Sequence, residues 1–396
     1  MRNNLEFKKF YNDALERLRP DERDFECDKS KLEYKYSLYA LAEYFFKLAD
    51  AWPKAVNLNL NLKSSSNAQG LTQNLNNLNN FNNLNYFNNS KILIAVSGGG
   101  DSIALLWLMR IFYPGEIIAA HVNHCLRGSE SDGDEEFVKI FAAELNLKFI
   151  SARIDINNLK FKSESLEEAA RRLRHEWLIN AANKFDACGI ALGHNRDDLA
   201  ETVLFNILRG SGIRGGVGMP EARGLFFRPL LGLRRDFLRE LLKARNISWR
   251  EDSTNYDINS STRNFVRLEL MPLIENKINL NAIEHLANFA EEMRALRESE
   301  EQRGQNLFNN LLIEQCLNKI ILNRDKLRAL SEPDIILVIR EAGRKLNLKT
   351  LSRVRTLELA NLIKKYKSDN AFVFQWQKDF IVKYDNNNLN INTAEL

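Results

Sequence analysis

The sequence predicts an α/β fold: a doubly wound, mostly parallel sheet with a smaller, mainly helical C-terminal domain. Three observations carry this expectation. Apolar strand runs alternate with helical runs from residue 91 to about residue 210. Glycine-rich and polar segments fall where the strand runs end, and beyond about residue 275 the pattern turns helical.

Strand runs occupy 91–97, 116–122, 148–154 and 188–194, and helical runs occupy 102–113, 132–146, 164–185 and 197–210. This alternation implies right-handed crossovers and a sheet covered on both faces. In such sheets ligands sit beyond the carboxyl ends of the strands. The segments SGGGDS (97–102), HVNHCLRG (121–128) and GHNRDD (193–198) all end strands. Helical patterns at 282–304, 334–346 and 350–366 and a β-like tail at 370–391 make up the second domain, 276–396. Before the sheet, residues 1–56 read as an amphipathic helical extension. Residues 57–90 read as a linker, because fourteen of those 34 positions are Asn, which competes with the backbone for hydrogen bonds.

Composition narrows the class. The 396 residues are 44% hydrophobic and 27% charged, enough for two domains with a buried core. Cys27, Cys125, Cys188 and Cys316 form no CxxC pair, which argues against a disulfide framework, a zinc site or a redox dithiol and predicts a reducing cytoplasm. The first residues are charged and lack the apolar core of a signal peptide. No apolar run reaches the roughly 18 residues of a membrane helix. The net charge of +4 is concentrated: residues 160–270 hold nineteen Lys or Arg against fifteen Asp or Glu. A nucleic-acid surface and simple scatter explain that excess equally well.

The densest chemical signal is the loop Ser97, Gly98, Gly99, Gly100, Asp101, Ser102. Its glycines let backbone N–H groups approach an anion, and the helix that follows adds the positive end of its dipole. Ser97 and Ser102 can donate hydroxyls, and Asp101 can hold Mg²⁺ against phosphate oxygens. There is neither GxxxxGK[ST] nor GxGxxG, so this is no Walker loop and no dinucleotide fingerprint.

A strand followed by SGGxDS and a helix resembles the PP-loop ATP pyrophosphatases, which bind ATP there, transfer AMP and release pyrophosphate. Three further segments narrow the resemblance: residues 120–128; His194-Asn195-Arg196-Asp197-Asp198-Leu199-Ala200-Glu201-Thr202 with Arg209-Gly210-Ser211-Gly212; and Arg228-Pro229-Leu230-Leu231 followed by residues 249–255 and Arg263-Asn264. Together they resemble the tRNA(Ile)-lysidine synthetases over roughly residues 91–275. The resemblance implies a reaction in the cytoplasm. The wobble cytidine of a tRNA(Ile) with anticodon CAU is adenylated by ATP, and free L-lysine displaces AMP to give lysidine. It also assigns tRNA binding to 276–396, and it leaves a homodimer open. The rivals are a tRNA thiolase, a small-molecule amide synthetase and an RNA-binding module with a vestigial loop.

Asp198 and Glu201 are three apart at a helix start, so both carboxylates face one side. Two such carboxylates repel unless a cation lies between them, and a lysine ammonium suits; helix capping is the other reading. With this resemblance, Asp101, Asp198 and Glu201 are the expected catalytic residues. Residues 97–102 and His121 are assigned to ATP, and His194 joins Asp198 and Glu201 for lysine. Arg171, Arg172, Arg174 and Arg209 are assigned to tRNA, with a solvated helix face balanced by Glu164, Glu167 and Glu168 as the alternative.

Overall fold

A computed structural model describes residues 90–126, 128–251, 258, 261–365, 372–384 and 388–393. Of the first 89 residues it describes only 9, 12–14, 41, 44, 45 and 48. The expectations for the linker at 57–89, for most of the N-terminal extension, for Arg127 and for 252–255 lie outside these residues.

The apolar runs become strands because both faces of the sheet are covered. In β1 (Lys91–Ala95), Ile92 and Ile94 face one cluster and Leu93 the other, all fully buried. This is the two-residue alternation of a strand. Full burial of each such side chain stabilises by about 1.5–3 kcal/mol. Around β1 lie β2 (Glu116–Asn123), β3 (Lys148–Arg153), β4 (Ala187–Ala191) and the two-residue strands β5 (Ala222–Arg223) and β6 (Phe226–Phe227). The sheet order is β3-β2-β1-β4-β6-β5. All pairings are parallel except the β5–β6 hairpin at the edge.

Besides the one-turn helices Ile156–Leu159 and Ile213–Gly216, the helices of this region are α1 (Gly100–Phe112), α2 (Ser129–Glu144), α3 (Leu166–Lys184), α4 (Arg196–Leu208) and α5 (Arg235–Ala244). A further helical run, α6, joins Thr262–Phe265, a π-helical turn Val266–Leu270 and Met271–Lys277. Helix α1 is buried almost all round, with Ile103, Leu105, Leu106 and Trp107 in the core beside Leu238 and Leu242 of α5. Helix α3 covers the opposite face through Leu178 and Ala182. Leu41 and Phe45 join the α1 side, Phe45 stacking on Phe112 at 4.8 Å. Tyr44 ties that segment to the loop after β6, donating to the Pro229 carbonyl at 2.8 Å.

The chain runs from β1 outward to β3 and returns to place β4 on the other side of β1. The crevice between the ends of β1 and β4 is therefore the topological switch point where α/β sheets take ligands. The loop 97–102 follows β1 and the GHNRDD turn follows β4.

The chain divides into Met1–Ala290 and Glu291–Leu396, a division that falls within α7 (Ala282–Leu311). The second unit has its own core of Phe308, Ile320, Val338, Leu359 and Trp376. Its helices α8 (Arg324–Ala329), α9 (Glu332–Lys345) and α10 (Arg353–Lys365) accompany five strands: β7 (Leu312–Cys316), β8 (Lys319–Asn323), β9 (Phe372–Gln377), β10 (Phe380–Tyr384) and β11 (Asn388–Thr393). They form an antiparallel sheet in the order β7-β8-β11-β10-β9. The β-like tail supplies three of these strands; β7 and β8 precede it and lie between two helical patterns. Among the described residues no helix is long and apolar enough to cross a membrane.

Candidate active site at the carboxyl edge of the sheet

The phosphate-type loop is built by its own hydroxyls. Ser102 Oγ donates to the Gly99 carbonyl at 2.8 Å and accepts from the Ser97 amide at 3.1 Å. Gly98 has φ +97°, which L side chains rarely adopt, so glycine is required there. No side chain caps α1 at Gly99, which leaves first-turn N–H groups and the dipole for an anion. The loop is held from two sides. The Arg250 amide donates to the Gly98 carbonyl at 2.9 Å. Gly193 lies so close that a Cβ there would meet Ser102 Cα at 3.2 Å. A side chain at 193 would push the β4–α4 turn off the loop.

Asp101 points inward from this loop. Its Oδ1 is shut off from solvent without a hydrogen-bond partner, and its Oδ2 lies 3.7 Å from Arg235 Nε. Burial raises its pKa to about 6, against the pull of Arg235 and with a smaller push from Asp198.

Asp198 and Glu201 are buried at 5% and 3% exposure, and both face one side of α4 as their spacing requires. Asp198 has two jobs. Its Oδ2 accepts from the Asn195 amide at 3.1 Å, completing a reciprocal cap in which Asn195 Oδ1 accepts from the Asp198 amide at 3.0 Å. Its Oδ1 accepts from Arg235 Nη2 at 3.0 Å and Arg267 Nη2 at 2.7 Å. Glu201 Oε1 accepts from Arg235 Nη1 and Nη2 at 3.1 and 3.0 Å and from Arg267 Nε at 3.0 Å. Arg263 stands further off, 3.6 Å from Asp198 and 3.8 Å from Glu201. The cations between the two carboxylates are thus this chain's own arginines. Burial works to raise the Asp198 pKa, but Arg235, Arg267 and Arg263 outweigh it and hold it below the usual carboxylate value.

Asp197 turns the other way. Its Oδ2 accepts from the Arg235 amide at 2.8 Å and meets Arg234 Nε at 3.3 Å. It therefore caps α5, not its own helix, and fixes the residue from which Arg235 springs. His121 is buried, with Nδ1 2.9 Å from the Val96 carbonyl. A carbonyl only accepts, so Nδ1 carries the proton, and the ring ties β2 to the chain just before the loop. Burial pushes its pKa down. His194 is neutral at pH 7, its pKa lowered to about 4 by burial and by neighbouring arginines against the pull of Asp198.

The four arginines assigned to RNA separate. Arg172 gives a two-pronged contact to Glu164, Nε and Nη2 each at 2.9 Å, and lies 4.3 Å over the Phe161 ring. Its guanidinium is engaged within its own chain. Arg209 is exposed at the far end of α4, 4.9 Å over Phe205, about 18 Å along the helix from its start. Arg171 and Arg174 stay near the start of α3, where a crossover helix meets the carboxyl edge. Arg235 and Arg267 carried no sequence motif. The usable signals were an Arg-Arg-Asp at a helix start and two arginines four apart at 263 and 267.

A β-α sheet whose first strand ends in SGGGDS, with paired carboxylates across the switch point, defines a class. A family model described as the PP-loop domain matches residues 67–274, more than half of the chain, and the chain belongs to that family. Within it, the chain is similar to curated proteins named tRNA(Ile)-lysidine synthase. The one from Parabacteroides distasonis is 38% identical over 240 residues, 60% of this chain and 51% of that protein. That from Clostridium acetobutylicum is 33% identical over 242 residues, 60% of this chain and 52% of that protein. That from Chlorobaculum tepidum is 38% identical over 215 residues, 53% of this chain and 65% of that protein. The chain thus spans about half the length of the first two.

Proposed function

We propose that the chain ligates L-lysine to C2 of the wobble cytidine of a CAU-anticodon tRNA(Ile), with ATP as the activating substrate. The observation that carries this reading is the single guanidinium of Arg235. It touches Asp101 of the loop and both Asp198 and Glu201, so one rigid side chain spans a site for phosphate and a site for an amine. The tRNA is inferred from the relatives, which are tRNA(Ile)-lysidine synthases by name.

In the first step the cytidine C2 oxygen attacks the α-phosphorus, the new P–O bond forms and pyrophosphate leaves. The loop's N–H groups and Ser97 and Ser102 hold phosphate oxygens, where charge moves onto the leaving group. The unpartnered Asp101 Oδ1 fits Mg²⁺, which takes one or two carboxylates plus phosphate oxygens and water. When bound, it would neutralise phosphate charge. Among the described residues no group of three or more His, Cys, Asp or Glu is set to hold a metal, so phosphates would supply most ligands.

In the second step the lysine ε-amine attacks C2, the C–N bond forms, and AMP leaves with the former C2 oxygen. The amine must be neutral to attack. Arg235, Arg263 and Arg267 crowd the place where it would sit and lower its pKa, while Asp198 and Glu201 orient it and take its proton. Purified protein given ATP, labelled lysine and either bulk tRNA or buffer tests the reading. Label should enter RNA only when tRNA is present, and no label in tRNA while pyrophosphate is released would refute lysine as the acceptor.

A further inference from the structure

Two guanidinium groups at the same edge lack the carboxylates that Arg235 and Arg267 have. Arg228 is 6% exposed, and its Nη1 donates to the neutral Pro220 carbonyl at 2.7 Å. Its Nε is shut off from solvent with no partner, and so is the Nε of Arg174. Among the described residues no carboxylate pairs with either. Arg171, on the same turn of α3 and exposed, adds a third positive charge. Burial, reinforced by Arg171, pushes the Arg174 pKa down and that of Arg228 to about 10.

Three imidazoles join them. His175 stacks on Phe226 of β6 at 4.4 Å. His124 follows β2 and His194 follows β4, and the Nδ1 of each is buried without a partner. All three have pKa values near 4, lowered first by burial and then by the arginines, Arg174 among them. At neutral pH they are uncharged and each offers one N–H. His194 feels both Asp198 and Arg174, and it lies in the β4–α4 turn, four residues before Asp198. A buried guanidinium without a counter-charge is unfavourable, and such groups gather where a ligand supplies the missing charge.

We infer that Arg174 and Arg228, joined by exposed Arg171 and by His124, receive one phosphodiester of the polynucleotide substrate, beside the nucleotide that reacts at Asp101 and Asp198. A phosphodiester presents two free oxygens that a guanidinium fork grips in pairs. The gradation from buried Arg228 through half-buried Arg174 to exposed Arg171 suits a strand that enters from solvent. The inference rests on the proposed function only in taking the polynucleotide to be tRNA. It excludes Arg172, whose fork is filled by Glu164.

Binding of unmodified tRNA to the full chain is measured across a salt series without lysine. Arg174→Gln and Arg228→Gln should each weaken affinity roughly three- to tenfold and lower the slope of log affinity against log salt by about 0.7–0.9. Arg174→Lys should retain most of the slope, and Arg172→Gln should leave it unchanged. The free Arg174→Met protein should melt no lower than wild type, since it loses an unpaired charge, and tRNA should raise its Tm less. Equal slopes in wild type and both Gln variants overturn the inference. A lower Tm for free Arg174→Met also overturns it, marking the guanidinium as structural. A raised lysine KM with an unchanged slope overturns it in favour of the lysine carboxylate. Lowered slopes without lysine transfer by wild type would keep this site and sink the lysidine reading. Transfer with equal slopes would sink this site alone.

Discussion

Two groups of charge both act on His194 in the turn after β4, and they are built on opposite rules. Around Asp198 and Glu201 every carboxylate oxygen has a donor, and Arg235 and Arg267 are paired. Around Arg174 and Arg228 the guanidinium Nε atoms have no partner. The first group is complete without a ligand, so it supports the fold and can admit an amine only by sharing its acids. The second is incomplete without one, so it costs stability in the free protein. The contrast teaches that pairing, and not mere clustering of charge, separates a site that positions from a site that waits.

The largest expected effect is at Asp101, which belongs to neither group but touches the first through Arg235. Asp101→Ala should reduce pyrophosphate release by about a hundredfold or more. Near-normal release would remove Asp101 from the chemistry. Stability should move the other way. The folded pKa of about 6 lies above the ordinary 3.8, so the folded state holds the extra proton between those values and loses stability as pH rises through them. Asp101→Asn should therefore be more stable than wild type at pH 7, by on the order of 2 kcal/mol, with the difference gone near pH 4. Thermal melting at both pH values checks this.

Glu201→Gln breaks the complete group. It should cost about 2–4 kcal/mol, because Arg235 and Arg267 lose a buried counter-charge. Adenylated tRNA should still form while lysine transfer stops. Adding Arg267→Met should recover part of the loss, a coupling of about 1–3 kcal/mol, and strict additivity would show that the pair does not act as a unit.

The histidines of the incomplete group give a smaller, pH-dependent effect. His124, His175 and His194 have folded pKa values near 4 against an ordinary 6.5. Their contribution is present above 6.5 and is lost as pH falls toward 4. The Tm should drop over that window, and His194→Gln should flatten the drop. The smallest effect is at Asp197, where Asp197→Ala should cost about 1 kcal/mol through the lost cap on α5, with lysine transfer slowed less than in Glu201→Gln, because Arg235 loses its backbone anchor and keeps its carboxylates.

Much of the sheet was legible because β1 to β4 are long enough to show their period, and the loop was legible because three glycines between Ser and Asp have few structural uses. Strands β5 and β6 were not, since two residues carry no period. Strands β7 and β8 were missed because LIEQC and KIILN put charge beside the apolar residues. The Asp198–Glu201 spacing showed the shared face but not its occupants, since Arg235 and Arg267 come from helices 34 and 66 residues further on. Nor could the sequence tell Arg172 from Arg174 two positions away. Only the placement of Glu164 against one and of no described acid against the other divides them.

The most direct test of the central claim uses two tRNA(Ile) transcripts, one with the CAU anticodon and one with its wobble cytidine changed to uridine. Each is incubated with the protein, ATP and labelled lysine. Label and AMP are expected from the first transcript only. Label on both transcripts, or pyrophosphate released from the CAU transcript with no lysine joined to it, would contradict that claim.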